Sequence, residues 1–162
     1  MRVEHSYDVA PKALLDVLTD EAFLAARSAR FGGSGTPVVK RSGDDAIVVT
    51  VPRKLPVDAV PGPFRSMVGK GNLVQTDTWS EIADDQVAGT WTTDVGDTPL
   101  QLNGTHEITA DSGGCRYVVT ANVKVKVRFI GGQAEGLVRQ RLADLVGREM
   151  EFAAKWLDGD KA

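Results

Sequence analysis

The sequence predicts an α+β fold in which an antiparallel sheet packs against one long C-terminal helix. Two observations lead to this prediction. Apolar residues recur at helical spacing over residues 133–157, and four segments with strand-like alternation and short turns precede that stretch. A helix with one apolar stripe needs an apolar surface to lie on, and an antiparallel sheet with one buried face supplies such a surface.

The chain opens with a short strand and two short helices. His5 and Tyr7 alternate with polar neighbours, which places both side chains on the more apolar face of the first strand. Pro11 suits the first turn of a helix. The residues Thr19, Asp20 and Glu21 are predicted to form the cap of a second short helix, from Ala22 to about Arg30.

Two strands follow, over residues 37–41 and 46–52, and then an irregular segment, residues 54–71. This segment is rich in proline and glycine but also carries large apolar residues, which are Leu55, Val57, Val60, Phe64, Met67 and Val68. A long loop in a compact domain is more often functional than not. We predict a mobile flap with one short helix near residues 64–68; the alternative is a loop that caps the end of the core.

The next part of the chain is predicted to be a four-stranded meander. Its strands cover residues 73–82, 86–95, 100–110 and 115–129. The last of them alternates most clearly, with Tyr117 on the apolar face. Leu102 and His106 share the apolar face of the strand before it, and Trp79 and Trp91 are predicted to point inward.

The C-terminal helix supplies the remaining candidate residues. Leu142 and Phe152 belong to its apolar stripe, and Glu149 lies near the centre of that stripe. Burial of an unpaired carboxylate is costly, so Glu149 is predicted to have a partner, carry a proton or meet water in a cavity. His5 and His106 face the same interior and are the expected partners. The alternative is a helix rotated by a fraction of a turn, with Glu149 in solvent.

Composition excludes several classes of protein. A length of 162 residues, with 42% hydrophobic and 25% charged residues, is typical of one globular domain. The net charge of −3 argues against a general nucleic-acid binder. No apolar run is long enough for a transmembrane segment and the first residues do not resemble a signal peptide, so we expect a cytoplasmic protein. Cys115, the only cysteine, excludes an internal disulfide.

Three stretches carry a resemblance to a known superfamily: residues 74–79, Gly104 and residues 129–135. With the order strand, two short helices, six strands and long helix, the chain resembles the START-like or Bet v 1-like (polyketide cyclase/SRPBCC) superfamily. It also resembles a bacterial family of unknown function within it, although Arg128 stands where that family tends to have proline. The resemblance implies a helix-grip fold, in which a curved sheet wraps around the C-terminal helix, as a single START-like domain over residues 1–162.

The resemblance further implies binding of a hydrophobic small molecule, lipid-, sterol- or polyketide-like, in a cavity between the sheet and the C-terminal helix. The predicted ligand-binding residues are His5, Tyr7, Trp79, Trp91, Leu102, His106, Tyr117, Leu142, Glu149 and Phe152. The alternative is a cyclase- or hydratase-like enzyme that uses Glu149, His5 or His106 as general acid or base. The lack of a recognisable nucleophile or metal motif favours binding, and whether the chain is an enzyme stays open.

Neither a metal nor a cofactor is predicted. His5, His106 and Glu149 have the residue types of a two-histidine, one-carboxylate metal site, but they lie on separate elements and no spacing supports it. A third possibility is a domain that serves only in protein contacts, since Gly136 and Gly147 share the outer helix face and could admit a partner helix. We expect a monomer or a homodimer.

Overall fold

The computed structural model describes residues 1–42, 46–54, 62–65, 71–83, 85–129 and 131–160. Its elements in chain order are β1 (Arg2–Tyr7), α1 (Pro11–Leu18), α2 (Glu21–Arg30), β2 (Val38–Arg41), β3 (Ala46–Lys54), α3 (Gly62–Arg65), β4 (Asn72–Ala83), β5 (Gln86–Asp94), β6 (Leu100–Asp111), β7 (Gly114–Val125) and α4 (Gly131–Leu157). This order confirms the predicted α+β fold.

The seven strands form one curved antiparallel sheet in the order β1-β7-β6-β5-β4-β3-β2. From β2 to β7 each strand pairs with the next one along the chain. The first strand pairs with the last, with Arg2 opposite Thr120 and Tyr7 opposite Cys115. The helix-grip arrangement that the resemblance implied, with strands from both ends of the chain adjacent, is therefore confirmed.

Asp20 begins α2 in the predicted way. Its Oδ1 accepts a hydrogen bond from the Phe23 backbone N–H at 2.8 Å, which satisfies one of the free donors of the first turn. The cap directs α2 so that Phe23 and Leu24 are fully buried. With α1, this helix covers one end of the inner face of the sheet.

The core on that inner face divides into two apolar clusters. The first cluster lies under α1, α2 and the end of α4, and its buried members are Tyr7, Leu14, Leu15, Leu18, Phe23, Leu24, Ile47, Val49, Val51, Trp79, Val87, Ile108, Cys115, Tyr117, Val119, Met150, Phe152 and Ala153. The second cluster lies near the start of α4, and its buried members are Leu73, Trp91, Val95, Leu100, Leu102, Ala121, Val123, Val125 and Ala134.

Helix α4 contributes to both clusters but is buried unevenly. Its last turns bury Met150, Phe152 and Ala153, and its first turn buries Ala134. Every residue of the helix between Ala134 and Met150 is at least partly exposed to solvent. The middle of the helix therefore covers the sheet without being fully enclosed.

The prediction that the last strand reaches residue 129 was wrong, because β7 ends at Val125. The neighbouring strand β6 begins at Leu100, which lies opposite Val125. The Lys126 N–H still donates to the Pro99 carbonyl oxygen at 2.9 Å, but proline has no N–H to return a hydrogen bond, so the ladder ends here. At Phe129, which is 99% exposed, the backbone turns with a φ of 68°. The helix then begins two residues earlier than predicted, at Gly131, where an added Cβ would lie 2.6 Å from the Val125 carbonyl oxygen.

The predicted flap over residues 54–71 lies largely outside the described residues. Within it the structure describes Lys54, which ends β3, the short helix α3, and Gly71. The described helix covers residues 62–65, and residues 66–68 of the predicted helix lie outside the described residues. Among the described residues, no helix combines the length and the apolar character that crossing a bilayer requires.

Candidate functional site: a buried polar cluster between two apolar clusters

Polar side chains occupy the inner face of the sheet where the two apolar clusters meet. Along β4 the inward-facing residues run from Leu73 in the second cluster, through Gln75 and Asp77, to Trp79 in the first cluster. Along β6 His106 lies between Leu102 and Ile108 in the same way. We call Gln75, Asp77, His106, Tyr117, Arg27, Arg53 and Glu149 the buried polar cluster.

Three members of this cluster form a hydrogen-bonded chain. His106 Nε2 lies 3.3 Å from Asp77 Oδ1, and His106 Nδ1 lies 2.8 Å from the Tyr117 hydroxyl oxygen. Gln75 Nε2 donates a further hydrogen bond to Asp77 Oδ1 at 2.8 Å. Both ring nitrogens of His106 are thus engaged, Nε2 by Asp77 and Nδ1 by Tyr117.

A glycine in the neighbouring strand lets the Trp79 ring pack against this chain. Gly89 lies between Trp79 and His106 in the sheet register, and an added Cβ there would be 3.3 Å from Trp79 Cε3. The Trp79 ring reaches over this glycine and stacks on His106, with centroids 4.4 Å apart and planes at 20°. The imidazole is therefore held in one orientation by packing as well as by hydrogen bonds.

The surroundings of these groups fix their charge states. Burial raises the pKa of Asp77, but the hydrogen bond and charge of His106, together with Arg27 and Gln75, outweigh it and hold that pKa below its usual value. Burial and the nearby Asp77 charge raise the pKa of the Tyr117 phenol well above its usual value. Near neutral pH Asp77 is thus a carboxylate and Tyr117 a neutral hydroxyl.

Glu149 faces the interior, as its position in the apolar stripe predicted, with its side chain 14% exposed. The expectation of a histidine partner was wrong. Its Oε1 accepts a hydrogen bond from Arg53 Nη1 at 2.7 Å, and its Oε2 lies 3.8 Å from Arg27 Nη1. Desolvation lowers the pKa of Arg53, but the neighbouring Glu149 and Asp77 charges outweigh it and the net shift is upward.

The two arginines differ in how well their donors are satisfied. Arg53 is bound closely to Glu149 and lies 3.5 Å from the Phe31 carbonyl oxygen. Arg27 is 8% exposed, yet its Nε and Nη2 atoms have no hydrogen-bond partner among the described residues. Leaving a buried donor of a charged group unpaired costs about 1–3 kcal/mol or more. Among the described residues Arg27 therefore has two buried donor atoms without a partner, whereas Arg53 has one, its Nε.

A cavity of about 30 Å³ lies beside this arginine. Its walls are Leu18, Phe23, Arg27, Tyr117, Val146, Glu149 and Met150. A space of this size holds roughly one or two water molecules, whereas ligand pockets measure about 300–1,000 Å³. Val146 and Leu142 are one helical turn apart on α4, which places the second cluster about 5.4 Å further along the helix axis.

The second cluster is anchored by a tryptophan held across a glycine. Trp91 Nε1 donates to the Thr120 carbonyl oxygen at 3.0 Å, and an added Cβ at the intervening Gly104 would lie 2.6 Å from that nitrogen. Leu102 is buried beside Trp91, and Leu142 of α4 packs on this cluster while partly exposed. Three of the ten predicted ligand-binding residues thus lie in the second cluster.

Two of the predicted residues lie on β1. Tyr7 is buried, donates from its hydroxyl to the Met150 carbonyl oxygen at 3.0 Å, and has its pKa raised by burial. The bond ties α4 to the edge of the sheet. His5 is partly buried, with its ring centroid 4.7 Å from that of Tyr7. Tyr7 is thus the ring partner of His5, on the strand at the edge of the sheet.

The remaining predicted residues lie in the first cluster or in the buried polar cluster; they are Trp79, His106, Tyr117, Glu149 and Phe152. The ring of Phe152 stacks on that of Phe23, with centroids 5.6 Å apart. Sequence reasoning missed Asp77, Arg53 and Arg27. Strand alternation could have found the first two, since each shares the inner face of an otherwise apolar strand. Arg27 follows Phe23 and Leu24 at helical spacing.

No group of three or more potential metal-ligating side chains occurs within the described part of the chain. His106 is engaged by Asp77 and Tyr117, and Glu149 by Arg53. Cys115 is buried as a single free thiol, and burial raises its pKa, which keeps it protonated and unreactive.

The model of a protein family matches residues 2–157 of the chain, and that family is described as a protein of unknown function (DUF2505). The chain belongs to this family. The uncharacterized protein Rv0481c of Mycobacterium tuberculosis H37Rv is 27% identical over 121 residues, which cover 72% of this chain and 69% of that protein.

Solved structures similar to this member of the family have the same architecture. A START superfamily protein from Mycobacterium smegmatis superposes with a TM-score of 0.55 at 12% identity, over 97% of each chain. The di-domain ARO/CYC StfQ from the steffimycin biosynthetic pathway gives a TM-score of 0.62 at 11% identity, over 98% of this chain and 51% of that one. At such identities the likeness concerns the fold, and the fold is START-like.

Proposed function

We propose that this chain, as one START-like domain, binds a hydrophobic small molecule, lipid-, sterol- or polyketide-like, between the sheet and α4. The observation that carries the proposal is the incomplete burial of the middle of α4. Val138, Leu142 and Val146 recur at a spacing of four residues on one helix face, and all three are partly exposed although they face an apolar sheet. An apolar ligand between helix and sheet would complete their burial.

The position of the second cluster supports this proposal. From Ala134 to Val146 the helix advances about 18 Å, a length suited to an extended apolar ligand. Beneath it, Trp91, Leu102 and Ala121 present an apolar floor. The cavity beside Arg27 is far smaller than a ligand pocket, so binding requires α4 to move outward from the sheet. A partly exposed helix can make such a movement at lower cost than a fully buried one.

Native mass spectrometry of the freshly purified protein tests the proposal. We expect a co-purified lipid-like mass that is lost on denaturation. As a second measurement, the neutral apolar dye N-phenyl-1-naphthylamine should gain fluorescence on binding. Leu142→Trp should fill the space under α4 and abolish the dye signal, whereas Gln140→Trp on the exposed side of the same helix should leave it unchanged. If the unaltered protein shows no co-purified mass and no dye signal, the proposal is refuted.

A second candidate function is a cyclase- or hydratase-like enzyme. The observation that favours it is the chain Asp77–His106–Tyr117, which ends with a tyrosine that lines the cavity. A neutral histidine between a carboxylate and a phenol can relay a proton to a bound molecule through the hydroxyl. Of the three acid–base residues predicted from the sequence, only His106 occupies such a position, because Glu149 is bound to Arg53 and His5 lies beside Tyr7.

The two functions are separated by the fate of the bound compound. Incubating the co-purified compound with the protein should leave its mass unchanged if the domain only binds it. A mass change of one water, lost in Tyr117→Phe while dye binding is kept, would instead establish the enzyme. The Tyr117→Phe variant retains the ring and its stacking near His106, so the hydroxyl alone is tested.

A further inference from the structure

The donors of the buried polar cluster are unevenly used, and this unevenness points to the chemistry of the ligand. Arg53 binds Glu149 directly, while Arg27 reaches the same carboxylate only at 3.8 Å. The Nε and Nη2 atoms of Arg27 lie on one edge of the guanidinium, and neither has a partner among the described residues. These two donors form the fork that recognises two oxygens of one planar anion.

The fork belongs to a side chain that is fixed in place. Arg27 is 8% exposed, and its guanidinium carbon lies 5.9 Å from the centroid of the Phe23 ring. Arg27 also lines the cavity, together with Tyr117 and Val146. A buried guanidinium with two unpaired donors beside a cavity is preorganised for an anionic group that enters it.

We propose that the ligand of this domain is an apolar molecule with a terminal carboxylate, which Arg27 binds through Nε and Nη2. The inference rests on the proposed function and adds the class of the ligand. The carboxylate occupies the cavity that Arg27 and Tyr117 line. The apolar body extends from Val146 past Leu142 over the second cluster.

The size and the charge of the site favour a carboxylate over a larger anion. The cavity of about 30 Å³ accommodates a group of two or three heavy atoms more readily than a tetrahedral phosphate. Glu149 and Asp77 already oppose two positive charges, those of Arg53 and Arg27. Because these charges already balance, a singly charged carboxylate at Arg27 disturbs the cluster less than a doubly charged phosphate would.

Displacement of bound N-phenyl-1-naphthylamine by three matched compounds tests this inference. The compounds are dodecanoic acid, dodecan-1-ol and dodecyl phosphate, used below their aggregation limits at pH 7.5. The acid should bind about tenfold or more tightly than the alcohol, as expected when a charge-assisted pair of hydrogen bonds replaces a neutral one. In Arg27→Gln this preference should fall to about threefold or less, while Arg30→Gln, which removes the same charge from the exposed part of α2, should keep it.

The outcomes distinguish this inference from the proposed function. If the dye binds but the acid and the alcohol displace it equally well, the inference of a carboxylate ligand is refuted, while the proposal of ligand binding stands. Tighter binding of dodecyl phosphate than of the acid would also overturn it. No dye binding at all would refute both. The comparison of the three compounds on the unaltered protein stands even if Arg27→Gln fails to fold, and Arg27→Lys, which keeps the charge but loses the fork, should show an intermediate preference.

Discussion

The two apolar clusters share one face of one sheet but differ in what covers them. In the first cluster, Leu14 of α1, Phe23 of α2 and Met150 of α4 close over the sheet, and the first two are completely buried. In the second cluster the described cover is α4 with the partly exposed Val138 and Leu142. The same kind of sheet surface is therefore fully enclosed at one end and only partly covered at the other, where we propose that the ligand binds.

The buried polar cluster lies where the two meet, and it explains why they stay separate. Residues Gln75, Asp77 and His106 interrupt the apolar inner faces of β4 and β6. Asp77 and His106 bind each other across strands, and His106 also binds Tyr117 of β7, so the interruption is satisfied only in the folded state. The ligand that we propose would meet this polar boundary with its own polar end.

The comparison predicts unequal costs of removing a leucine side chain from the two clusters. Leu14→Ala should lower the free energy of unfolding by about 4 kcal/mol, because the side chain is fully buried and leaves a cavity. Leu142→Ala should lower it by about 1 kcal/mol, since that side chain is partly exposed already. Urea unfolding curves measure both values. Equal losses would mean that the second cluster is as completely enclosed as the first.

The boundary between the clusters should be sensitive to the charge of Glu149. Glu149→Gln removes the partner of Arg53 and leaves two buried guanidinium groups opposed only by the charge of Asp77, so the free energy of unfolding should fall by about 3 kcal/mol. Glu151→Gln, on the exposed side of the same helix, should change it by less than about 0.5 kcal/mol. An unaltered stability of Glu149→Gln would contradict the pairing with arginine.

The same boundary should make stability depend on pH through Asp77. Because its pKa is lowered on folding, its contribution is fully present above the unfolded pKa of about 3.9 and is lost as pH falls through the lower folded value. Asp77→Asn should cost about 2 kcal/mol at pH 7 and flatten the stability profile below pH 4. Thermal unfolding from pH 7 to pH 3 tests this, with the exposed Asp16→Asn as control. Parallel profiles for the unaltered protein and Asp77→Asn would show that Asp77 does not titrate differently on folding.

The smallest expected effect is on the outer face of α4 above the second cluster. An added Cβ at Gly136 meets nothing within 4 Å, so Gly136→Ala should raise the unfolding free energy by about 0.7 kcal/mol. Gly104→Ala should strongly destabilise the protein, because its Cβ would collide with Trp91 and with the Thr120 carbonyl. A loss of stability in Gly136→Ala would indicate that this helix face requires a glycine, as a helix–helix contact would.

The sequence by itself determined the order of elements, the pairing of the meander and which residues face inward. These follow from periodicity and turn residues, which are local properties: Asp20 caps α2, Trp79 and Trp91 are buried, and Glu149 points to the interior. Local patterns did not predict features that depend on a partner elsewhere in the chain, such as the end of a strand. The alternation after Val125 continues in the sequence, but β7 ends there because the residue before Leu100 is Pro99, which has no N–H to donate across the ladder.

Only the tertiary structure decided which charges meet. Arg27, Arg53 and Glu149 are separated by tens of residues and lie on a helix, a strand and another helix, so no spacing in the sequence relates them. The partner of a buried charge depends on how the elements pack, because the interaction extends over a few ångströms in space regardless of distance along the chain. In the folded protein Glu149 pairs with arginines, and His106 is bound to Asp77 and Tyr117. One edge of Arg27 has no hydrogen-bond partner among the described residues and lies beside a cavity.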